Sequence, residues 1–289
     1  MRKNEDVLDD VIRFLICPIC EAALHREGGS LRCLNGHVFD IARQGYVSLL
    51  VASRRAHSGD TATMVQARSD ILATGYFADV ADDLAATASE VFAAVSADSC
   101  VIDIGAGTGY YLASALDRLP GRLGLALDIS KPALRRAARG HDRIGAVACD
   151  VWRRLPVVDQ AAGVALNIFA PRNGAELRRI LDPAGRLLVV TPARDHLSEL
   201  IPRLGLLTVD ERKDERLAEK LSPHFELVER HERRRVITLR HKEVAAVVAM
   251  GPSAWHADAA ALTESIGRLP GLVQTGLSFT LSNYRPAEH

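Results

Sequence analysis

A glycine-rich segment behind a strand-like run constrains the fold of this 289-residue chain more than any other feature. The segment spans residues 101–111 and reads VIDIGAGTGYY, with three β-branched residues before the first glycine. This pattern predicts a strand covered on both faces, followed by a loop whose glycines adopt backbone angles closed to other residues. In an open α/β sheet, such a loop at the carboxyl end of the first strand holds a nucleoside-like ligand.

The spacing of the glycines distinguishes between two kinds of ligand. A dinucleotide fold has the pattern G-x-G-x-x-G, which places a pyrophosphate on a helix N-terminus. Gly105, Gly107 and Gly109 instead form the pattern G-x-G-x-G, and Asp103 lies two residues before the first of them. This arrangement resembles the first motif of class I S-adenosylmethionine (SAM) methyltransferases. The alternative at this point is a tight turn from strand to helix that binds no ligand.

Two further aspartates lie where strands are predicted to end. Asp128 follows the apolar run 123–127, and Asp150 follows the run 145–149. A carboxylate at the end of the second strand can accept both hydroxyls of a ribose, which suits NAD and SAM equally. In the methyltransferase pattern, Asp150 neighbours the adenine. Strands and helices alternate from the glycine segment onward, so we expect a doubly wound, Rossmann-like α/β sheet with a nucleoside site.

The N-terminal region carries a cysteine and histidine array with the spacing C-x2-C-x12-C-x3-H. Two such knuckles close a tetrahedron around one ion, and four protein ligands leave no position for water. The array therefore predicts a structural zinc site rather than a catalytic one, in a small N-terminal zinc-binding domain. The alternative is a set of free cysteines and an unrelated histidine in a small core. The predicted metal ligands are Cys17, Cys20, Cys33 and His37.

Composition limits the partners only weakly. Lys plus Arg and Asp plus Glu both number 36, so net charge neither supports nor excludes a nucleic-acid partner. No apolar run approaches the roughly 20 residues that span a bilayer, and the first residues lack the apolar segment of a signal peptide. We therefore expect no membrane partner and a cytoplasmic location.

We expect three regions along the chain. They are a zinc-binding, RNA-recognition domain at residues 1–55, a helical linker region at 56–98 and a SAM-dependent methyltransferase domain at 99–289. Within the last region, the charge-dense segment 211–243 predicts a solvated helix or an edge strand. The alternating run 273–284 predicts the final strand of the sheet.

Four further side chains have two interpretations each. Phe77 is either a core residue or part of the cofactor pocket, and His196 is either structural or able to reach that pocket. Asn167 and Arg172 lie at the end of the predicted fourth strand, where an open α/β sheet presents the reacting partner. There they can contact a base edge and a phosphate, or act as a strand-end cap and a surface arginine.

The combination of the zinc array with the SAM motif resembles the RlmA/TlrB family of 23S rRNA guanine-N1-methyltransferases over almost the whole chain. Residues 170–173 and 250–256 are especially similar to the tylosin-resistance branch of that family. The other matching positions are 45–47, Asp60, Met64, Ala67, Arg68, Thr191 and Pro192 with His196, and Trp255.

The resemblance implies a zinc domain that helps recognise an rRNA hairpin, a domain that delivers the methyl group from SAM, and a homodimer. It places the metal ligands on the four residues of the array, and it places cofactor contacts on Phe77, Gly107, Thr108 and His196. The chain departs from the family at Ala106 and Thr108, where many members have cysteine and glutamate. Phe77 replaces a tyrosine, so a tyrosine hydroxyl contact is absent here.

The leading hypothesis is therefore a SAM-dependent enzyme that methylates N1 of a guanine in a hairpin of 23S rRNA. One alternative is a small-molecule methyltransferase, for which the zinc domain would be superfluous. Another is a non-catalytic, zinc-containing RNA-binding protein, which the intact aspartates and glycines of the nucleoside site argue against. The residues leave open the general base, the guanine that is methylated and whether macrolide resistance of the tylosin type follows.

Overall fold

A computed structural model of the protein describes residues 4–51, 59–207, 219–251 and 259–288. In these ranges the chain forms a three-stranded sheet and an eight-stranded sheet. No helix within them has the length and apolar character to cross a membrane. The polar segment 52–58, with the predicted domain boundary at residue 55, lies outside the described residues, as does residue 255.

The small sheet lies in the region of the cysteine and histidine array. It is antiparallel, and its strands are β1 (Leu24–Glu27), β2 (Ser30–Cys33) and β3 (Val38–Asp40). Helix α1 (Asn4–Val11) and a single helical turn at Ile12–Phe14 precede it. Each strand has only three or four residues, so this sheet has little core of its own.

The large sheet has the strand order β10-β11-β9-β8-β5-β6-β7-β4. Six strands from β4 to β9 run parallel, and β10 and β11 add an antiparallel pair of strands at one edge. The strands are β4 (Tyr46–Ser48), β5 (Cys100–Ile104), β6 (Gly124–Asp128), β7 (Ile144–Ala148), β8 (Ala162–Ile168), β9 (Leu181–Pro192), β10 (Phe225–Arg240) and β11 (Leu272–Pro286).

Helices cover the sheet as the predicted doubly wound α/β fold requires. Thr61 begins α2 by accepting a 3.3 Å hydrogen bond from the Met64 backbone, and Ser130 caps α5 in the same way through Ala133. The helices are α2 (Ala62–Leu72), α3 (Ala78–Val91), α4 (Tyr110–Asp117), α5 (Lys131–Gly140), α6 (Gly174–Ile180), α7 (Ile201–Leu204), α8 (His241–Ala249) and α9 (Ala259–Gly267).

The two faces of the large sheet have different covers. Helices α2 to α5 and α8 pack on one face. On the other face, α1, the small sheet and α6 share one continuous core with the central strands. Val11 of α1 contacts Gly145 so closely that a Cβ there would overlap it. The zinc-binding region is therefore packed onto the large sheet and shares its core.

The edge of the large sheet confirms one of the two interpretations of the charged segment. Strand β10 pairs only with β11 among the described strands, and most of its side chains are exposed. Several of its arginines form ion pairs with acidic residues of neighbouring segments, including Arg233 with Asp83 and Arg234 with Asp195. The described part of residues 219–243 is therefore mainly an edge strand, whereas residues 211–218 lie outside the described ranges.

Candidate functional site

The four residues of the cysteine and histidine array lie together. Their ligand atoms all fall within 4.8 Å of one another. The Nδ1 atom of His37 is 3.5 Å from Cys17 Sγ and 3.4 Å from Cys33 Sγ, and the Sγ atoms of Cys20 and Cys33 are 3.7 Å apart. A tetrahedral zinc ion with Zn–S bonds of about 2.3 Å and Zn–N bonds of about 2.0 Å requires a separation of about 3.8 Å between two sulfur ligands and about 3.5 Å between sulfur and nitrogen. The donor set therefore fits one zinc ion.

Local backbone structure positions these ligands and tunes their protonation. Gly36 adopts a positive φ of 82° and donates a 3.0 Å hydrogen bond to the Cys33 carbonyl, which turns His37 back towards the strand. Hydrogen bonds from the Ala22 backbone and the Asn35 side chain lower the pKa of Cys20 to about 6. Burial raises the pKa of Cys17. The thiolate is the form of cysteine that binds a metal ion, and the lowered pKa favours the thiolate of Cys20 at neutral pH.

The glycine loop has the backbone that its sequence predicts. Gly105 and Gly107 have φ values of 77° and 55°, in the left-handed region that favours glycine. A Cβ on Gly105 would overlap Ala170, the second residue after β8. A Cβ on Gly107 would meet only the side chain of Arg68, so the space above this part of the loop is otherwise open. A ligand can therefore approach the main chain at Gly107.

Asp128 ties this loop to the end of β6. Its Oδ2 accepts a 2.8 Å hydrogen bond from the Gly107 backbone, and its Oδ1 accepts a 2.7 Å hydrogen bond from the Ser130 backbone. Burial raises the pKa of this carboxyl above its usual range. Each carboxylate oxygen still has a lone pair free for a hydroxyl donor. Asp128 thus fixes the loop and can accept hydrogen bonds from a ligand at the same time.

Asp103 lies beneath the loop and is 1% exposed. Neither of its carboxylate oxygens has a hydrogen-bond partner within the described residues. Burial, with a smaller contribution from the charge of Asp128, raises its pKa to about 8. An unpartnered buried carboxyl is costly, so Asp103 is a candidate contact for a polar group of a ligand.

The remaining residues predicted for the cofactor lie around the same strand ends. Asp150 accepts a 3.0 Å hydrogen bond from the Trp152 backbone in the turn after β7. Thr108 is half-buried in the loop between Gly107 and Gly109.

Phe77 and His196 come from distant parts of the sequence and meet at one aromatic ring. Their rings lie 5.4 Å and 4.8 Å from the ring of Phe279 on β11. Phe169, directly after β8, also lies 5.4 Å from Phe279. Phe77 and Phe279 are both 3% exposed, so they form the buried base of this aromatic cluster. Sequence reasoning missed Phe279, because one aromatic residue in an alternating strand carries no distinguishing signal.

Arg68 is a second residue to which sequence reasoning gave no role. Its guanidinium lies above Gly107, with Nη1 3.3 Å from the position that a Cβ of that glycine would occupy. It forms an ion pair with Asp60, and its Nη2 donates a 3.0 Å hydrogen bond to the Met250 carbonyl. The guanidinium retains N–H groups that these two contacts do not use. The one sequence feature that could have identified Arg68 is that it is among the positions that resemble the family.

The structure decides in part between the two interpretations given above for Asn167 and for Arg172, which lie at the end of β8. The buried amide of Asn167 donates hydrogen bonds of 3.3 Å to the Ile104 carbonyl and 2.9 Å to the Pro171 carbonyl. It therefore acts as a strand-end cap, while its Oδ1 has no partner in the described structure. Arg172 is partly buried rather than a surface arginine, and burial lowers its pKa to about 10.

Comparisons with known proteins identify relatives that share one kind of enzyme name. Residues 15–57 match the model of the N-terminal zinc ribbon of RlmA. A 23S rRNA (guanine(748)-N(1))-methyltransferase of Streptomyces fradiae is 50% identical over 286 residues, which cover 99% of each chain. A Micromonospora griseorubida protein, provisionally named a 23S rRNA (guanine-N1)-methyltransferase, is 48% identical over 96% of this chain and 99% of its own. A Bacillus subtilis protein with a similar provisional name is 32% identical over 64% of this chain and 66% of its own.

Proposed function

The chain belongs to the RlmA/TlrB family of 23S rRNA (guanine-N1)-methyltransferases, and we infer that it methylates N1 of a guanine in a hairpin of 23S rRNA. The observation that carries this inference is the 50% identity over 99% of the chain, which includes both the zinc ribbon and the glycine loop. The name of the Streptomyces fradiae relative makes guanine 748 the proposed target.

The residues around the glycine loop fit SAM. When bound, SAM would supply a methyl group on a positively charged sulfur. The guanine N1–methyl bond would form as the sulfur–methyl bond breaks, the sulfur would leave as the neutral thioether of S-adenosylhomocysteine, and the N1 proton would pass to a base. We assign the ribose hydroxyls to Asp128, whose oxygens have free lone pairs, and the edge of the adenine to Asp150. The open main chain at Gly107 and the neighbouring Thr108 lie where the methionine portion approaches the loop.

Arg68 and Asp60 add a charged pair to this site. The methionine portion of SAM carries one carboxylate and one ammonium group, which are complementary to a guanidinium and a carboxylate. The unused N–H groups of Arg68 can therefore bind the carboxylate of the ligand. Its existing contacts with Asp60 and Met250 hold the guanidinium above the loop, so little side-chain freedom is lost on binding.

Positioning supplies much of the rate in such a reaction, because the N1 lone pair must lie in line with the methyl group. The aromatic cluster of Phe77, Phe169, Phe279 and His196 forms a wall beside the loop, which would limit the access of water to the reacting atoms. A guanine in a hairpin loop is already partly unstacked, which lowers the free energy needed to move it into this site.

The zinc ribbon has a structural role in this proposal and contributes to hairpin recognition. Four protein ligands leave zinc no position for a water molecule, so the ion takes no part in the chemistry. Because the ribbon shares its core with the large sheet, the ion would also stabilise the packing of the ribbon on that sheet. A homodimer and a cytoplasmic location belong to the same proposal.

The proposal is tested with purified protein, methyl-labelled SAM and 23S rRNA that lacks modification. We expect labelled 1-methylguanosine after the RNA is digested to nucleosides. An Asp128→Ala variant should bind SAM weakly and give no labelled nucleoside, whereas the exposed control Asp98→Ala should match the wild type. Protein that binds SAM and contains zinc, yet leaves the RNA unlabelled, would contradict the proposal.

A susceptible host that expresses the protein tests the link to resistance. If guanine 748 is the target, the host should acquire both the methylated guanine and a higher tolerance of tylosin. A methylated guanine without a change in tolerance would separate the enzymatic activity from resistance.

A further inference from the structure

Phe169 combines two properties that rarely occur together. Its φ is +54°, in the left-handed region that a bulky side chain seldom adopts. The residue is also 44% exposed. Among the described residues, no other large exposed hydrophobic has a positive φ. Strained backbone of this kind persists where surrounding contacts enforce it, and such residues cluster at functional sites.

Contacts on both sides of Phe169 enforce this conformation. Its backbone N–H donates a 3.1 Å hydrogen bond to the Val190 carbonyl on β9. The amide of Asn167 links the Ile104 carbonyl, at the end of β5, to the Pro171 carbonyl, which fixes the segment that contains Phe169. The next residue, Ala170, packs against the glycine loop at Gly105. The ring is therefore held in place beside the loop.

The surroundings leave part of the ring accessible. The centroids of the Phe169 and Phe279 rings lie 5.4 Å apart with an interplanar angle of 51°, and Phe169 remains exposed despite this contact. It follows β8, at the strand end where an open α/β sheet presents the reacting partner. An accessible aromatic ring fixed beside a methyl-donor loop suits a planar heteroaromatic ligand.

We propose that Phe169 stacks on the target guanine and orients its N1 edge towards the glycine loop. This inference rests on the proposed function, because it names the residue that holds the base in that reaction. Aromatic side chains stack on bases through their ring faces, and one such stack changes affinity by about 5-fold to 150-fold. The strained backbone presents the ring before the RNA arrives, so the base meets a preformed surface.

The test separates a contact with the base from a contact with the rest of the RNA. Binding of the full chain is measured for two hairpins of 23S rRNA, one with the target guanine and one with an abasic site at that position. We expect the wild type to bind the guanine hairpin about 5-fold to 150-fold more tightly. Phe169→Leu should lose most of this difference, while Phe169→Tyr should retain it.

Two further variants control for folding and location. Phe169→Gly removes the ring and accepts the positive φ without strain, so its melting temperature should stay close to that of the wild type while discrimination is lost. Val236→Ala changes an exposed apolar residue of the edge strand β10 and should alter neither quantity. For Phe169→Leu, kcat/KM for the guanine hairpin should fall with the affinity, whereas binding of S-adenosylhomocysteine should be unchanged.

Equal weakening of both hairpins by Phe169→Leu would overturn the inference, because the ring would then act on the RNA without contacting the base. Unchanged binding of both hairpins would overturn it as well, and so would a large loss of stability in Phe169→Gly. If the wild type methylates rRNA but the two hairpins respond alike, the stacking role fails and the proposed function stands. If the wild type leaves rRNA unmethylated, the proposed function itself fails.

Discussion

Gly105→Ala should destabilise the protein through two separate effects. The first is the positive φ of 77°, which costs a residue with a Cβ about 1–2 kcal/mol. The second is overlap, because the new Cβ would lie closer than 3.0 Å to the Cβ of Ala170. Ordinary carbon contacts lie at about 3.5–4.0 Å, so this loop has to move by at least about half an ångström. Overpacking of this kind costs about 1–3 kcal/mol, which gives a total of about 2–5 kcal/mol.

Gly107→Ala provides the matched control. Its φ of 55° carries the same backbone cost, but its Cβ would meet only the end of the flexible Arg68 side chain at 3.3 Å. Its destabilisation should therefore stay near 1–2 kcal/mol, about that of the backbone effect alone. The difference between the two variants isolates the contact with Ala170.

Thermal unfolding in the absence of ligand measures this difference. A domain of about 150–250 residues loses about 2–4 °C of Tm per kcal/mol, so Gly105→Ala should melt about 2–12 °C below Gly107→Ala. Adding Ala170→Gly to Gly105→Ala should recover most of the gap, because it removes the overlapping methyl group. Equal melting temperatures for the two single variants, or no recovery in the double variant, would refute the assigned contact.

Three further predictions concern the charged groups and the metal. Burial raises the pKa of Asp103 from 3.8 to about 8, so the folded state binds more protons between these values and stability falls as pH rises from about 4 to 8. Asp103→Asn should therefore raise the Tm of the ligand-free protein at pH 8, with a gain that shrinks towards pH 4; a gain independent of pH would contradict this. Cys17→Ser should abolish zinc in metal analysis and lower both Tm and rRNA methylation, and a zinc-free variant that still methylates rRNA would refute the role of the ribbon. Arg68→Gln should weaken S-adenosylhomocysteine in calorimetry by about tenfold or more but leave 5′-methylthioadenosine, which lacks the amino-acid portion, nearly unchanged. Equal losses for the two ligands would contradict the carboxylate contact.

The sequence predicted those parts of the site whose signals are local. Ligand spacing alone brought Cys17, Cys20, Cys33 and His37 together, because each knuckle forms within a few residues of the chain. The strand that carries Asp103 and the strand that ends at Asp128 followed from short apolar runs, since a buried parallel strand has an apolar sequence whatever its neighbours are.

The parts that the sequence missed depend on distant contacts or on backbone angles. Arg68 donates to Met250, 182 residues away, and no periodicity in either segment specifies that pairing. Strand β4 joins the large sheet by pairing in parallel with β7, which its three residues cannot indicate by themselves. The positive φ of Phe169 arises from hydrogen bonds made by its neighbours, so its residue type alone predicts an ordinary strand end.

Reverse transcription across the 23S rRNA hairpin tests the central claim most directly. A methyl group on guanine N1 blocks Watson–Crick pairing, so cDNA synthesis stops one nucleotide before the modified base. After incubation of unmodified rRNA with the purified protein and SAM, we predict a stop one nucleotide to the 3′ side of guanine 748 that is absent when either is omitted. Read-through at every guanine of the hairpin, with protein shown to bind SAM and to contain zinc, would contradict the account.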